Sequence, residues 1–255
     1  MLNRICISAL LLCLVISIPL TGLSTDLPDA RSIVKKSLNY VRGEASVSML
    51  TMVIHRPQWE RRMTIKAWTK GDRLSLFHTV APAKDRGNGT LKKGREMWMF
   101  NPKINRVIKL PPSMMSQGWM GSDFSNNDLS KTDSILDEYT HRIIGTETRD
   151  GMTIYEIESI PKPDAPVIWG MQRLKIREDG IMVSQEFYDE DAALVKTLRT
   201  EEIRMLGGRL FPKIWTMEKT ETPGQYTRMT YDELAFLDQL EDRLFSISNL
   251  KNFRR

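Results

Sequence analysis

Three histidines, His55, His78 and His141, are the side chains of this sequence best suited to proton transfer near neutral pH or to metal binding. A zinc site needs three or four histidine, cysteine or carboxylate ligands brought together in one place. The three histidines lie in separate predicted strands, and no two of them have the spacing of paired ligands. We therefore predict that the protein has no metal site.

Acidic side chains offer a second kind of chemistry, because paired carboxylates can cleave glycosidic bonds. Asp123, Asp128 and Asp133 recur at intervals of five residues. Helix capping and turn formation explain these short acidic side chains more simply. The sequence also lacks a G-x-S-x-G elbow, an H-E-x-x-H motif and a glycine-rich phosphate loop. We predict that the protein is not an enzyme and that it has no cofactor.

The first residues have the pattern of a secretory signal peptide. Arg4 supplies a positive charge, the run Ile5–Leu20 is apolar apart from two serines, and small residues follow at Gly22 and Ser24. The alternative is a single membrane anchor, for which this run is short because a span needs about 20 apolar residues. We predict a signal peptide over residues 1–24 that is cleaved near Ser24.

Both cysteines, Cys6 and Cys13, lie within the predicted signal peptide. The mature chain, residues 25–255, would therefore have no disulfide, no thiol nucleophile and no thiolate metal site. Its length is enough for a core of its own, as one sizeable domain or a closely fused pair. We predict a single domain over residues 25–255, located in the periplasm of a Gram-negative bacterium.

The formal net charge is +5, and loss of Arg4 with the signal peptide would leave +4. This excess suits a protein that works near anionic lipid headgroups, but an ordinary solvated surface would give the same value. The lysines and arginines are scattered singly instead of forming the basic cluster of a nucleic-acid-binding protein. We predict that nucleic acid is not a partner.

The remaining chain reads as one helix followed by many strands. Asp26 is the predicted helix cap, Asp29 a first-turn acid, and Gly43 the helix end. From Ala45 onward, apolar residues alternate with polar ones between short turns. This pattern predicts a mainly β protein with a few helices. Its curved antiparallel sheet of about eleven strands would form an open half β-barrel, whose concave face the N-terminal helix and a lid segment cover.

The predicted lid belongs to the stretch Glu96–Ser130. This stretch begins with a hairpin, Glu96–Phe100 and Lys103–Leu110, and leaves it through Pro111-Pro112. Large apolar side chains then follow among Gly, Ser, Asp and Asn. A loop of this composition typically covers an apolar surface or docks onto one.

Alternation along the first strand puts Trp98 and Phe100 on one face of the sheet. Met97 and Met99 lie on the other face, so one of the two pairs is expected to be ordinary core. The residues predicted to contact a ligand in a hydrophobic cavity or under the lid are Met97, Trp98, Met99, Phe100, Met114, Met115, Trp119, Met120 and Phe124.

Three segments resemble the bacterial outer-membrane lipoprotein-sorting (LolA-like) family, and an uncharacterised branch of it in particular. The similar residues are Trp98–Pro102, Leu110–Pro112 and Met120–Leu129, with a weaker match over Glu138–Gly145. The resemblance implies an open β-barrel with a helical lid and a hydrophobic cavity that carries acyl chains across the periplasm.

In the characterised carrier of this family, an arginine on an early strand holds the lid closed. Arg61, Arg62 and Arg73 lie on early predicted strands, but none of them falls in a matching motif, so the role is not assigned to any of them.

The function implied is that of a non-catalytic periplasmic carrier or binding protein for lipoproteins or other acyl-bearing lipids. Its expected partners are acyl chains, a membrane-embedded transport protein and, transiently, the membrane itself. The alternative is a periplasmic sensor or adaptor of the same fold that binds outer-membrane proteins or an inner-membrane export complex. A lipid-processing enzyme is a third reading.

Overall fold

The computed structural model describes residues 28–130 and 134–252. The predicted signal peptide, the predicted cap Asp26 and the carboxylate Asp133 lie outside these residues. No helix in the described range is long and apolar enough to cross a membrane. The helices are α1 (Ala30–Arg42), α2 (Asn126–Ser130), α3 (Ser134–Glu138) and α4 (Ile247–Lys251), with 3-10 turns at Pro112–Met114, Trp119–Gly121 and Asp242–Leu244.

Except where the chain crosses from one edge of the sheet to the other, each strand is the antiparallel neighbour of the next. The strands are β1 (Ala45–Arg56), β2 (Trp59–Lys70), β3 (Leu74–Ala81), β4 (Gly89–Lys93), β5 (Glu96–Asn101), β6 (Arg106–Lys109), β7 (Tyr139–Arg149), β8 (Met152–Pro161), β9 (Met171–Arg177), β10 (Met182–Tyr188), β11 (Leu194–Leu206), β12 (Arg209–Lys219) and β13 (Tyr226–Leu237).

All thirteen strands belong to one sheet, in the order β6-β5-β4-β3-β2-β1-β13-β12-β11-β10-β9-β8-β7. The chain therefore runs outward from β1 to one edge, crosses to the other edge, and returns inward to β13. The first and last strands pair at the centre, with Ala45 opposite Leu237. The predicted fold class, an open and curved antiparallel sheet with few helices, is confirmed.

The sheet has thirteen strands and not about eleven, partly because the sequence did not reveal β4. We expected a loop up to Gly89, yet Gly89–Lys93 pairs with both β3 and β5. Its alternation is hidden because Lys92 occupies an inward-facing position. Lys92 is buried, and its Nζ donates to the carbonyl of Asp72 at 2.6 Å. A charged side chain thus stands where the strand pattern calls for an apolar one.

Helix α1 begins one turn later than predicted. Asp29, expected as a first-turn acid, is the N-cap: its Oδ2 accepts from the backbone N–H of Ser32 at 2.9 Å and from its hydroxyl at 2.7 Å. Gly43 ends the helix with φ of 63°, as predicted. The buried side of α1, which includes Val34 and Leu38, packs on the second half of the sheet.

The C-terminal segment covers part of the opposite, outer face of β3 to β5. Phe245 and Leu250 pack there against Leu76 and Leu91. His78 is buried in the same contact, with its Nε2 3.1 Å from the carbonyl oxygen of Asn249. The ring of this histidine thus links the central sheet to α4.

Burial lowers the pKa of His78 to about 4, from 6.5. The unfolded chain therefore binds a proton at this side chain between pH 6.5 and 4 that the folded chain does not. We expect the free energy of unfolding to fall as the pH is lowered through this window, by up to about 3 kcal/mol at 1.36 kcal/mol per pKa unit. Urea denaturation at pH 7, 5.5 and 4.5 measures this loss.

The variant His78→Leu removes this titration, so its stability should decline less over the same pH range. His141 keeps part of the decline in both proteins, because burial lowers its pKa as well. Equal slopes for wild type and His78→Leu would contradict the prediction.

Candidate functional site

A cavity of about 300 Å³ lies between the inner face of the sheet, α1 and the segment that connects β6 to β7. Its wall takes side chains from both halves of the sheet. Those from β9 to β12 include Leu174, Phe187, Leu198, Trp215 and Met217, and those from β1 to β3 and β13 include Leu50, Ala67, Phe77, Met229 and Tyr231. A mostly apolar hollow of this size falls in the range of small-molecule sites.

The β6–β7 connection, described over residues 111–130 and 134–138, crosses the inner face from one edge of the sheet to the other. We call residues 111–130 the lid segment. Trp119 packs against Met52, Ile65 and other residues of β1 and β2. Phe124 and Ile135 pack with α1 and the second half of the sheet. The lid segment therefore bridges the two halves.

Trp119 fixes the first part of the lid segment. It is 1% exposed, its indole N–H donates to Thr90 Oγ1 at 3.0 Å, and its ring meets that of Phe77 edge-on at 5.3 Å. Because both its apolar ring and its polar N–H are satisfied, Trp119 is held as firmly as a residue of the sheet core.

A buried ion pair fixes the middle of the lid segment. Arg56, at the end of β1, binds Asp123 with both terminal nitrogens, at 2.9 and 3.1 Å. The Asp123 side chain is 4% exposed and also accepts from the Thr227 hydroxyl at 2.7 Å. A bidentate pair of this kind is both strong and geometrically specific.

Two further cations hold the lid segment on either side of that pair. Arg61 bonds Asp85 at 3.0 Å and donates to the carbonyl of Met120 at 3.3 Å. Lys196 is 3% exposed and bonds Asp128 at 2.5 Å. Burial lowers the pKa of Lys196, and the neighbouring Asp128 opposes this shift. The lid segment is thus attached to β1, β2 and β11.

Of the nine predicted ligand-contact residues, Trp119 and Phe124 line the cavity. Met97 and Met99 lie on the inner face, since they pair with Lys92 and Thr90, but they are outside the cavity wall. Whether any of these side chains contacts a ligand stays a prediction.

Trp98 and Phe100 lie on the other face of β5, away from the cavity. They point to the outer face, where the C-terminal segment covers Phe100 and Lys109 lies 5.5 Å from the centre of the Trp98 ring. They are therefore the pair that forms ordinary core. The strand alternation predicted two faces, and the docking of α4 decides which one is the outer.

The three lid methionines lie beside the cavity, and none of them forms its wall. Met120 is half-buried against Trp119 and the β1–β2 side chains. Met114 and Met115 are half-buried, and their carbonyls accept from Asn126 Nδ2 and the Asn127 N–H. They support the start of α2 through their backbone.

Two tyrosines of the cavity wall, Tyr139 and Tyr231, have raised pKa values. Burial raises the pKa of Tyr231 to about 12 and also raises that of Tyr139, the opposite of what an activated nucleophile or base requires. Asp128 caps the short helix α2 by accepting from the Ser125 N–H at 2.7 Å, as the capping explanation predicted. Asp123 instead pairs with an arginine.

The three histidines do not converge. His55 stacks on Tyr226, and His78 contacts Asn249. The Nδ1 atom of His141 lies 2.8 Å from Ser159 Oγ. Within the described residues, no group of three or more His, Cys, Asp and Glu side chains could hold a metal ion.

Sequence reasoning missed Arg56 and Lys196. Arg56 bonds Asp123, 67 positions away, and Lys196 bonds Asp128, 68 positions away. No local spacing in the sequence predicts either pair. A usable signal existed for Lys196, since it occupies an inward position of an alternating strand. A lysine at such a position needs a buried partner.

No curated protein matches the chain. Solved structures share its fold, and three of them cover nearly all of the described chain. A DUF1329 family protein from Desulfovibrio piger is 24% identical with a TM-score of 0.76, over 87% of this chain and 99% of that one. A LolA superfamily protein from Nitrosomonas europaea is 23% identical with a TM-score of 0.71, over 88% and 100%.

The third structure is a domain from Vibrio parahaemolyticus assigned to outer membrane lipoprotein sorting. It is 21% identical with a TM-score of 0.74, over 88% of this chain and 98% of that one. At these identities the likeness establishes the fold, which is LolA-like.

A family model described as "uncharacterized protein" matches residues 71–252, well over half of the chain. The match begins just before β3 and includes the lid segment and the C-terminal segment. The chain therefore belongs to this uncharacterized family, and its fold is LolA-like, as the resemblance predicted.

Proposed function

We propose that this protein binds acyl chains of lipoproteins or other lipids in the cavity and carries them without chemical change. The observation that carries the proposal is the cavity itself. It is lined mainly by apolar side chains of both sheet halves and is closed by α1 and an anchored lid segment.

An acyl chain matches this wall better than a polar metabolite does. An acyl chain of about 15 methylenes costs on the order of 12 kcal/mol to expose to water, at about 0.8 kcal/mol per CH₂. Leu174, Leu198 and Met217 offer apolar surface that replaces water, and the methionine can adapt to chains of different shape. Polar side chains, Gln172 and Gln185 among them, also line the wall and can orient a ligand.

The setting proposed for this function is the periplasm. In this proposal residues 1–24 are removed as a signal peptide, residues 25–255 form one carrier domain, and a membrane-embedded partner gives or takes the cargo. The related outer-membrane lipoprotein-sorting fold supports this setting.

The test is to purify the protein from a bacterial periplasm and to measure bound lipid by native mass spectrometry. We expect co-purified acyl lipid and displacement of a fluorescent fatty acid. Met229→Trp should reduce fatty-acid binding at least about tenfold, because Met229 lies in the wall between the two inner-face clusters and a larger ring fills the cavity.

The matched control is Thr230→Trp, the next residue of β13, whose side chain points to the outer face by strand alternation. It should bind fatty acid as the wild type does. An empty wild-type protein that ignores fatty acids yet captures a membrane protein complex would favour the adaptor function. Ester hydrolysis by the pure protein would favour an enzyme.

A further inference from the structure

The outer part of the β11–β12 hairpin extends past its ladders with β10 and β13, while Arg209 still packs on the Phe236 ring of β13. β11 pairs with β10 only as far as Arg199, and β12 pairs with β13 only from Ile214 onward. Between these points, Ile203–Leu206 and Arg209–Pro212 form a ladder with each other. This outer part of the hairpin, residues 201–213, is called the hairpin tip below.

One face of the hairpin tip is apolar and exposed. Met205 lies directly opposite Leu210, and Ile203 lies opposite Pro212, so these side chains share a face. Met205 is 66% exposed, Leu210 42% and Ile203 36%. The other face is attached to the protein through Phe211, which is fully buried with its ring 5.0 Å from that of Tyr231.

The hairpin tip stands beside an opening of the cavity. The Tyr40 hydroxyl of α1 donates to the carbonyl of Leu210 at 2.5 Å, and Arg209 donates to the carbonyl of Tyr40. An open cleft of about 730 Å³ lies here and includes Arg209 and the 40%-exposed Leu237. This cleft shares Arg42, Gly71 and Asp72 with the main cavity.

The helix beside the hairpin tip is basic. Helix α1 carries Arg31, Lys35, Lys36 and Arg42 and has no acidic residue between Ala30 and Arg42. The cleft itself is balanced, since its basic side chains are accompanied by four acids, Glu44, Asp72, Asp137 and Asp238. An apolar projection next to a basic helix is the combination that an anionic bilayer surface binds.

We propose that the hairpin tip docks on a phospholipid bilayer containing anionic lipids, with Met205, Leu210 and Ile203 entering the headgroup region. Docking would hold the hairpin tip, and with it the neighbouring cleft, close to the membrane from which an acyl chain is taken or to which it is returned. The inference rests on the proposed function for its purpose, but the docking can be measured by itself.

The test uses protein purified from the periplasm and vesicles of phosphatidylethanolamine with phosphatidylglycerol. We expect wild type to float with these vesicles, less at high salt. Met205→Glu combined with Leu210→Glu should reduce the bound fraction about tenfold or more, since two charges replace the apolar contact. The matched control is Ile104→Glu with Ile108→Glu, whose wild-type side chains are 62% and 43% exposed at the other side of the sheet.

A single label gives a second readout, because the two native cysteines lie in the predicted signal peptide. An environment-sensitive dye on Met205→Cys should brighten with vesicles, while the same dye on Ile104→Cys should not. Vesicle binding that is absent in wild type, unchanged in Met205→Glu/Leu210→Glu, or equally lost in the Ile104/Ile108 control would overturn the proposal.

The two proposals fail separately. Neither Met205 nor Leu210 lies in the cavity wall, so Met205→Glu/Leu210→Glu should still hold lipid. A wild-type protein that holds lipid but does not dock would refute the docking alone. A protein that docks but never holds an acyl chain would refute the carrier function alone.

Discussion

Replacing Arg56 by Met should lower the free energy of unfolding by about 3 kcal/mol, because it leaves the buried Asp123 carboxylate without its cation. The Thr227 hydroxyl is the side-chain donor that stays on this carboxylate. The loss should appear in urea denaturation as a lower midpoint with an unchanged slope. Since Asp123 holds the middle of the lid segment, limited proteolysis should then cut within residues 111–130.

Arg62→Met is the matched control. Arg62 lies on β2, its side chain is 66% exposed, and its nitrogen is 4.0 Å from Glu60. An exposed pair of this kind contributes about 0–1 kcal/mol, so the control should unfold almost as the wild type does. The double variant Arg56→Met with Asp123→Asn should recover part of the loss, because the unpaired charge is gone. Equal losses for Arg56→Met and Arg62→Met would show that the buried pair does not hold the lid segment.

Trp119→Ala should be as damaging, with a loss of about 4 kcal/mol in the free energy of unfolding. The substitution opens a cavity between the lid segment and β1–β2 and leaves the buried Thr90 hydroxyl without its donor. Trp119→Phe keeps an aromatic ring against Phe77 but removes the N–H, so its loss should be smaller, about 1–2 kcal/mol.

The matched control is Trp59→Ala, which removes the same side chain from a position that is 51% exposed. Its contact with Arg56, at 5.8 Å from the guanidinium carbon to the ring centre, contributes at most about 1 kcal/mol. Thermal unfolding followed by circular dichroism measures all three variants. A Trp119→Ala protein as stable as Trp59→Ala would mean that the lid segment contributes little to the fold.

Local patterns predicted most of the fold. The hairpins of β1 to β3 and of β7 to β13 follow from alternation and turn residues, which act over a few neighbouring positions. The failures have a physical cause at particular residues. Strand β4 was missed because a lysine in a sequence indicates an exposed position. Lys92 is instead buried and donates to the carbonyl of Asp72.

The candidate site was predicted less completely, since its contacts are not local. Apolar loop residues indicated a lid, and Trp119 and Phe124 do line the cavity. The charges that hold the lid are spread over three strands, and only the folded chain brings Arg56 to Asp123. Alternation predicted that Trp98 and Phe100 share a face of the sheet. It did not predict that this face is the outer one, which the C-terminal segment covers.

The chain and the strand pairing together form a closed loop around the cavity. Going from β1 to β6, across the lid segment to β7, and inward to β13 returns the path to its start through the β1–β13 ladder. The cavity lies inside this ring. In the proposed function, a ligand would therefore enter or leave between the inner face and either the lid segment or α1, without separating any pair of strands. The side chains of Arg56, Arg61 and Trp119 hold the lid segment on this face, so opening this boundary would break their contacts and leave the strand ladders intact.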